Sequence, residues 1–298
     1  MGSGCQFEQD YYFDLQEMAT ETIDILYTNY STKAEITTND FEFIANVLRG
    51  FLKDPDVVPS SSLSKMVTLM KKCVDSPVTT YWPFTRDVRR GLLETLNRIL
   101  GRLHLERKLM MIATPHEHGA GLYGYERELA MNVSHDAVKL LMKDTDYMIN
   151  KYVDTIALKL NPTESEFVYK TTNLEVKLKA DQPYNLRNNE FFIKSNDVFF
   201  TIPNDIYATA QSQASDHQEI KLKMMKWMAD PFNFAPEEKA RVDNNVTTLT
   251  ILNTAGNEIS IQNLSTPINI MMPYQKGKSI HDSALRCKYW NDAAQEFS

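Results

Sequence analysis

Residues 246–264 read Val-Thr-Thr-Leu-Thr-Ile-Leu (246–252), Asn-Thr-Ala-Gly-Asn (253–257) and Glu-Ile-Ser-Ile-Gln-Asn-Leu (258–264). In the third piece Ile259 and Ile261 alternate with polar residues, which is the period of two expected of a half-buried strand. The middle piece contains Gly256 and has the length of one of the longer hairpin connections. The stretch therefore predicts two antiparallel strands joined by a turn.

A further strand is predicted after this hairpin, close to the end of the sequence. Residues 267–273 begin and end with proline and carry a predicted strand with one apolar face. That face is formed by Ile268, Ile270 and Met272. Cys287 and Trp290 follow, three positions apart. The sequence ends, on this interpretation, in a β-meander closed by one cysteine and one tryptophan.

Before residue 160 the apolar period is that of amphipathic helices. Thr37 and Asp40 form a capping-box pattern at one predicted start, and Ser60 to Ser62 offer N-caps for the helix after it. The predicted core-facing sets are Leu15, Met18, Ala19, Thr22 and Leu26 in the first helix, Val88, Leu92, Leu96, Ile99 and Leu103 in the strongest helix, and Leu140, Leu141, Ile149, Val153 and Ile156 in the last.

After Pro162 the period changes to two. In one predicted strand Lys221 and Lys223 alternate with apolar residues, which places the lysines on a solvent face. Helices first and strands second indicate an α+β fold with segregated parts, a helical subdomain at 1–162 and a β subdomain at 163–298.

The strand patterns of the last fifty residues, with Pro-Ile-x-Ile-x-x-Pro and then Cys-x-Tyr-Trp-Asn, resemble the end of a GAIN domain, where it leads into the GPS motif. This family occurs in adhesion receptors and in polycystin-1-like proteins, and the sequence resembles the polycystin-1 side more. The resemblance implies a helical subdomain followed by an antiparallel β-sandwich. It also implies that Cys287 and Trp290 are structural residues of the GPS motif, with the tryptophan packed beside a disulfide.

In the resembling family a His-Leu-Thr or His-Leu-Ser tripeptide cleaves its own chain, with histidine as base and the hydroxyl as nucleophile. The resemblance places that tripeptide and the last strand beyond Ser298, so no catalytic residue is assigned, no cofactor is expected and the chain is not expected to be an enzyme. The implied partners are the rest of its own polypeptide and a polycystin-2-type channel subunit. The implied location is the outer face of the plasma or ciliary membrane.

Composition sets broader bounds. A formal charge of −7 and a pI near 5.5 argue against a nucleic-acid partner. No apolar run approaches the length of a membrane span, and the start lacks the apolar region of a signal peptide and is typical of a fragment boundary. Four Asn-x-Ser/Thr sequons favour a secreted location. They begin at Asn29, Asn132, Asn245 and Asn263.

The alternative is a soluble α+β protein with a metal site, and hydrolysis is one reaction that such a site supports. His116 and His118 would point the same way on a strand and could share a metal, although proline and glycine around them indicate an exposed loop. Cys73 ends an amphipathic helix and is expected to be buried, while Cys5 could bond Cys73 or an outside partner. A third interpretation is an interaction module without a site.

Overall fold

A computed structural model confirms the α+β fold, with helices first and an antiparallel sheet after them. It describes residues 3–77, 85–113, 134–164, 166–181, 191–194, 199–203, 205–213, 219–227, 246–261, 264–265, 268–271, 290–291 and 296–297. The helices are α1 (Ser3–Tyr30), α2 (Thr38–Phe51), a 3-10 helix (Pro55–Val57), α3 (Ser60–Asp75), α4 (Arg86–Ala113), α5 (His135–Leu158) and α6 (Asp205–Gln213).

The strands form two main sheets. They are β1 (Phe167–Lys170), β2 (Leu174–Asp181), β3 (Phe191–Lys194), β4 (Phe199–Ile202), β5 (Ile220–Trp227), β6 (Val246–Leu252), β7 (Asn269–Met271), β8 (Trp290–Asn291) and β9 (Glu296–Phe297). One antiparallel sheet has the order β1-β2-β5-β6 and a second has the order β3-β4-β7, while β8 pairs with β9. The longest pairing, β2 with β5, runs from Leu174 opposite Trp227 to Asp181 opposite Ile220.

The four-stranded sheet is the middle of three layers. Because side chains alternate across a strand, Leu174 and Trp227 share a core with the helices on one face. On the other face, Leu222 and Met224 pack in a second core with Phe200 of β4. The two sheets therefore lie face to face, as the predicted sandwich requires. The division of the chain at 1–162 and 163–298 stays a prediction.

The ends of two helices show how local sequence and tertiary packing compete. Thr37 and Asp40 form the predicted capping box, with Thr37 Oγ1 accepting from the Asp40 amide at 3.2 Å and Asp40 Oδ2 accepting from the Thr37 amide at 2.8 Å. The predicted serine cap of α3 is wrong, because its N-cap is Pro59 and makes no side-chain hydrogen bond. The Ser60 hydroxyl instead donates to the buried Glu106 carboxylate of α4 at 2.8 Å.

The predicted hairpin between β6 and the residues after it is confirmed. The Asn253 amide donates to the carbonyl oxygen of Asn257 at 2.9 Å, and the Ile259 amide then donates to Ile251 at 2.8 Å. Gly256 has a φ of 85°, which is strained for any residue with a Cβ. A Cβ there would also lie 2.9 Å from a methyl carbon of Leu158, so the turn sits directly on the end of α5.

Several apolar side chains lie outside the cores to which their spacing assigned them. Met18 is 55% exposed, Leu140 60% and Ile270 53%. Among the described side chains of α1, Ala19, Ile23 and Leu26 are buried and define the side of the helix that packs on the core. Met18 lies beyond the edge of that side. Periodicity marks a face of a helix, but only neighbouring elements decide how much of it is covered.

Candidate functional site at the helix and sheet interface

Two lysines of β5 are buried where the helical layer meets the sheet. The side chain of Lys221 is 2% exposed and that of Lys223 is 8% exposed, so their predicted placement on a solvent face is wrong. The alternating residues Leu222 and Met224 face the second sheet, which leaves the lysines on the face toward the helices. Because β5 is an inner strand of the middle layer, neither of its faces meets solvent.

Each buried ammonium group has an oxygen partner. Lys223 Nζ lies 2.6 Å from Asp154 Oδ1 of α5. Lys221 Nζ donates to the carbonyl oxygen of Leu160, just after the end of α5, and lies 2.6 Å from Glu219 Oε2. Burying an unpaired charge costs far more than burying a paired one, so these contacts allow the lysines to remain in the interior. They also join α5 to the centre of the sheet.

A second set of contacts joins α4 to β1, an edge strand of the same sheet. Arg86 Nη2 donates to the carbonyl oxygen of Glu166 at 3.3 Å, and Arg90 Nη2 donates to that of Val168 at 2.9 Å. Charged donors on carbonyl oxygens form stronger hydrogen bonds than neutral donors do. The edge of the sheet is thus held against the helical layer by two arginines.

Glu94 of α4 is the centre of a further link. It accepts a hydrogen bond from the Tyr169 hydroxyl at 2.7 Å and one from Arg98 Nε at 2.7 Å, and Arg98 donates to the carbonyl oxygen of Arg49 at 3.0 Å. Burial opposes ionisation of Glu94, but the hydrogen bonds from Tyr169 and Arg98 lower its pKa on balance. Burial, followed by the bond to Glu94, raises the pKa of Tyr169. The pair is therefore a carboxylate and a neutral phenol at neutral pH.

These side chains join structural elements through ion pairs and hydrogen bonds. Within the described residues, no group of three or more His, Cys, Asp or Glu side chains could hold a metal ion. Cys73 is fully buried, as expected, and burial raises the pKa of its thiol to about 12, so it stays protonated at neutral pH. No helix among the described residues is long and apolar enough to cross a membrane.

Most of the site residues predicted from the sequence lie outside the described ranges. This holds for Cys287, His116, His118, Asn132, Asn245 and Asn263. Trp290 lies in β8, opposite Phe297 of β9. Asn29 is exposed in the last turn of α1, so its sequon is accessible. The roles predicted for these residues stay predictions.

Sequence reasoning missed the interface made by Lys221, Lys223 and Asp154. The one available signal was lysine at alternate positions of an apolar strand, and a solvent-facing strand gives the same signal. Asp154 is 69 residues from Lys223 in the chain, and nothing in the sequence pairs them.

Comparison with known proteins gives a likeness in fold. No protein-family model and no curated protein matches the chain. Among solved structures, the chain is similar to the full extracellular region of zebrafish Gpr126/Adgrg6, with a TM-score of 0.54 and 13% sequence identity. The similarity covers 88% of this chain and 31% of that one, so this chain spans about a third of the neighbour's length. At this identity the likeness concerns the fold alone.

Proposed function

We propose that this chain is a GAIN-like module in the extracellular part of a polycystin-1-type membrane protein. Its role is to connect outer adhesive domains to the membrane part, and its partners are the rest of its own polypeptide and a polycystin-2-type channel subunit. On this proposal it works at the outer face of the plasma or ciliary membrane, without a cofactor.

The observation that carries the proposal is the likeness in fold to an extracellular region. It extends over 88% of the chain and includes the helices as well as the sheets. The order of helices first and sandwich second is the order that the GAIN resemblance implies. The exposed Asn29 sequon is compatible with the same location.

The contacts between the layers support a coupling role. Asp154 and Lys223 join α5 to β5, while Arg90 and the carbonyl oxygen of Val168 join α4 to β1. A displacement of the helical layer therefore acts on the central and the edge strand of one sheet at the same time. Such a connection transmits force from one side of the domain to the other without a reaction.

The same proposal assigns no catalysis to the chain as given. The sequence contains six histidines, and none of them begins a His-Leu-Thr or His-Leu-Ser tripeptide. His104 is followed by Leu105 and Glu106, which offers no hydroxyl as nucleophile. Self-cleavage, if the longer protein has it, depends on residues other than these.

The test uses a longer version of the native gene, expressed in mammalian cells with an epitope tag at each end. Labelling of intact cells with a membrane-impermeant biotin reagent should mark the segment that contains this chain. Labelling only after the cells are permeabilised would refute the extracellular proposal. A denaturing gel of the same sample reports cleavage, where two bands indicate a self-cleaving domain and one band a purely structural coupler.

A further inference from the structure

Helix α1 is strongly acidic, because its acidic side chains are not balanced by any lysine or arginine on the same helix. The first 32 residues contain six acidic residues and no lysine or arginine, whereas the whole chain has a formal charge of −7. The acidic residues are Glu8, Asp10, Asp14, Glu17, Glu21 and Asp24. A field of one sign concentrated on one helix favours association with a partner of the opposite sign.

The same helix exposes large apolar side chains at a regular spacing. Tyr11 is 66% exposed, Met18 55% and Ile25 60%, and each follows the one before by seven residues. Residues seven apart are nearly two helical turns apart and therefore share a face. Exposed Asp14 and Glu21 lie between them along the chain. We call the surface formed by these five side chains and exposed Glu17 the α1 outer face.

The opposite side of α1 is already occupied. Ala19, Ile23 and Leu26 are buried against the remaining helices, and Asp24 is bound to Lys65 of α3 at 2.6 Å. The α1 outer face is thus not needed to attach the helix to its own domain. A row of apolar side chains seven residues apart, with carboxylates beside it, offers another helix one apolar line to pack against and charged groups to pair with.

The charges restrict what can cover this face. Two identical copies packed through it would bring the Asp14, Glu17 and Glu21 carboxylates of one copy close to those of the other. Like charges in contact repel each other, which makes this pairing unfavourable. The anionic surface of a membrane leaflet repels it for the same reason. A partner must cover the apolar row and also compensate the carboxylates. A cationic amphipathic helix does both, because its apolar side chains can pack on Met18 and Ile25 and its ammonium or guanidinium groups can pair with the carboxylates.

We propose that the α1 outer face is a docking surface for a basic amphipathic helix of a partner protein. This inference is independent of the receptor assignment, because it rests on α1 alone. The Asn29 side chain lies four residues after Ile25, about one turn further along the helix. A glycan on Asn29 would therefore mark the end of the docking surface at that side.

The experiment uses the full chain and a fluorescein-labelled synthetic peptide of about three heptads, with leucine at the two seam positions and lysine elsewhere. Fluorescence anisotropy gives the Kd at low and at high salt. One double variant, Met18→Gln with Ile25→Gln, removes the apolar row. A second, Glu17→Gln with Glu21→Gln, removes two charges. The matched control is Leu140→Gln. Leu140 is 60% exposed, as Ile25 is, but it lies on α5 near Lys139 and Lys143 and outside the α1 outer face.

We expect the Kd to rise at least about tenfold in each double variant, to rise with salt in the unchanged protein, and to stay the same in the control. A peptide with glutamate in place of lysine should not bind. Equal binding of the glutamate peptide, or equal binding by both double variants and the unchanged protein, overturns the proposal. So does concentration-dependent self-association, measured by sedimentation, that the Met18 and Ile25 substitutions abolish, because the face would then be an interface between copies.

Discussion

Replacing Asp154 with alanine should destabilise the protein more than replacing the lysine that it contacts. Asp154→Ala leaves the Lys223 ammonium, 8% exposed, without its carboxylate partner. Removing one member of a fully buried pair costs about 3–5 kcal/mol. The Asp154 side chain is itself 37% exposed, so water can reach part of the gap. We therefore expect the free energy of unfolding to fall by about 2–3 kcal/mol.

The reciprocal substitution has a different expected cost. Lys223→Met keeps most of the volume of the side chain and removes the buried charge, and the Asp154 carboxylate that remains can be hydrated. We expect a change within about 1 kcal/mol. The double variant should be close to Lys223→Met alone, because no ammonium group is left buried at position 223. This asymmetry follows from the difference in burial between the two partners.

Urea denaturation of the unchanged protein and the three variants measures these quantities. A lower midpoint at an unchanged slope reports lost stability, whereas a changed slope reports a different denatured or native state. Equal losses for Asp154→Ala and Lys223→Met would refute the reasoning, since the cost would then belong to the contact and not to the uncovered charge. A loss below about 0.5 kcal/mol for Asp154→Ala would do the same, being typical of a surface substitution.

Four other predictions concern separate parts of the molecule. Gly256→Ala should cost at least about 1–2 kcal/mol in urea unfolding, from its positive φ and the approach of Leu158, whereas Gly50→Ala, with open space around it, should be neutral or stabilising. The hydrogen bond from Lys33 and then those from Thr37 lower the pKa of Asp40 to about 2. The ionised carboxylate therefore stabilises the folded protein fully above about pH 4, the pKa of aspartate in the unfolded chain, and this stabilisation is lost as the pH falls through the folded pKa. Asp40→Asn should therefore reduce the melting temperature at pH 7 and reduce it much less near pH 2. Protein secreted from mammalian cells should lose mass on glycosidase treatment, and Asn29→Gln should remove one glycan from it. After dialysis against a weak chelator, elemental analysis should find no stoichiometric zinc or nickel, and retained metal would favour the alternative that involves His116 and His118.

Features decided within a few residues could be predicted from the sequence. The capping box needs only Thr37 and Asp40, and the turn at Gly256 needs only its own five residues. The apolar stripe of α4 could also be predicted, since Leu92, Leu96, Ile99 and Leu103 are all buried. Each of these depends on local geometry that the chain repeats wherever the same pattern occurs.

Features that depend on a neighbouring layer could not be predicted in this way. Lys221 and Lys223 have the spacing of solvent-facing residues, and only the helices packed on β5 make them interior. The opposite error occurred at Met18 and Leu140, which have core spacing but lie beyond the covered part of their helices. The apolar period of a strand or a helix indicates which residues share a face, but it does not indicate what packs against that face.

The two arginines of α4 that contact β1 also affect how a further strand could pair with this protein. Open-ended growth of fibres through sheets requires each molecule to offer two accessible strand edges. Among the described strands, the edges of the four-stranded sheet are β1 and β6, and carbonyl oxygens beside and within β1 already accept hydrogen bonds from Arg86 and Arg90. A further strand added at β1 would have to compete with Arg86 and Arg90 for the same carbonyl oxygens. The same side chains that hold the helices to the sheet thus make β1 a poor place for edge-to-edge pairing with another molecule.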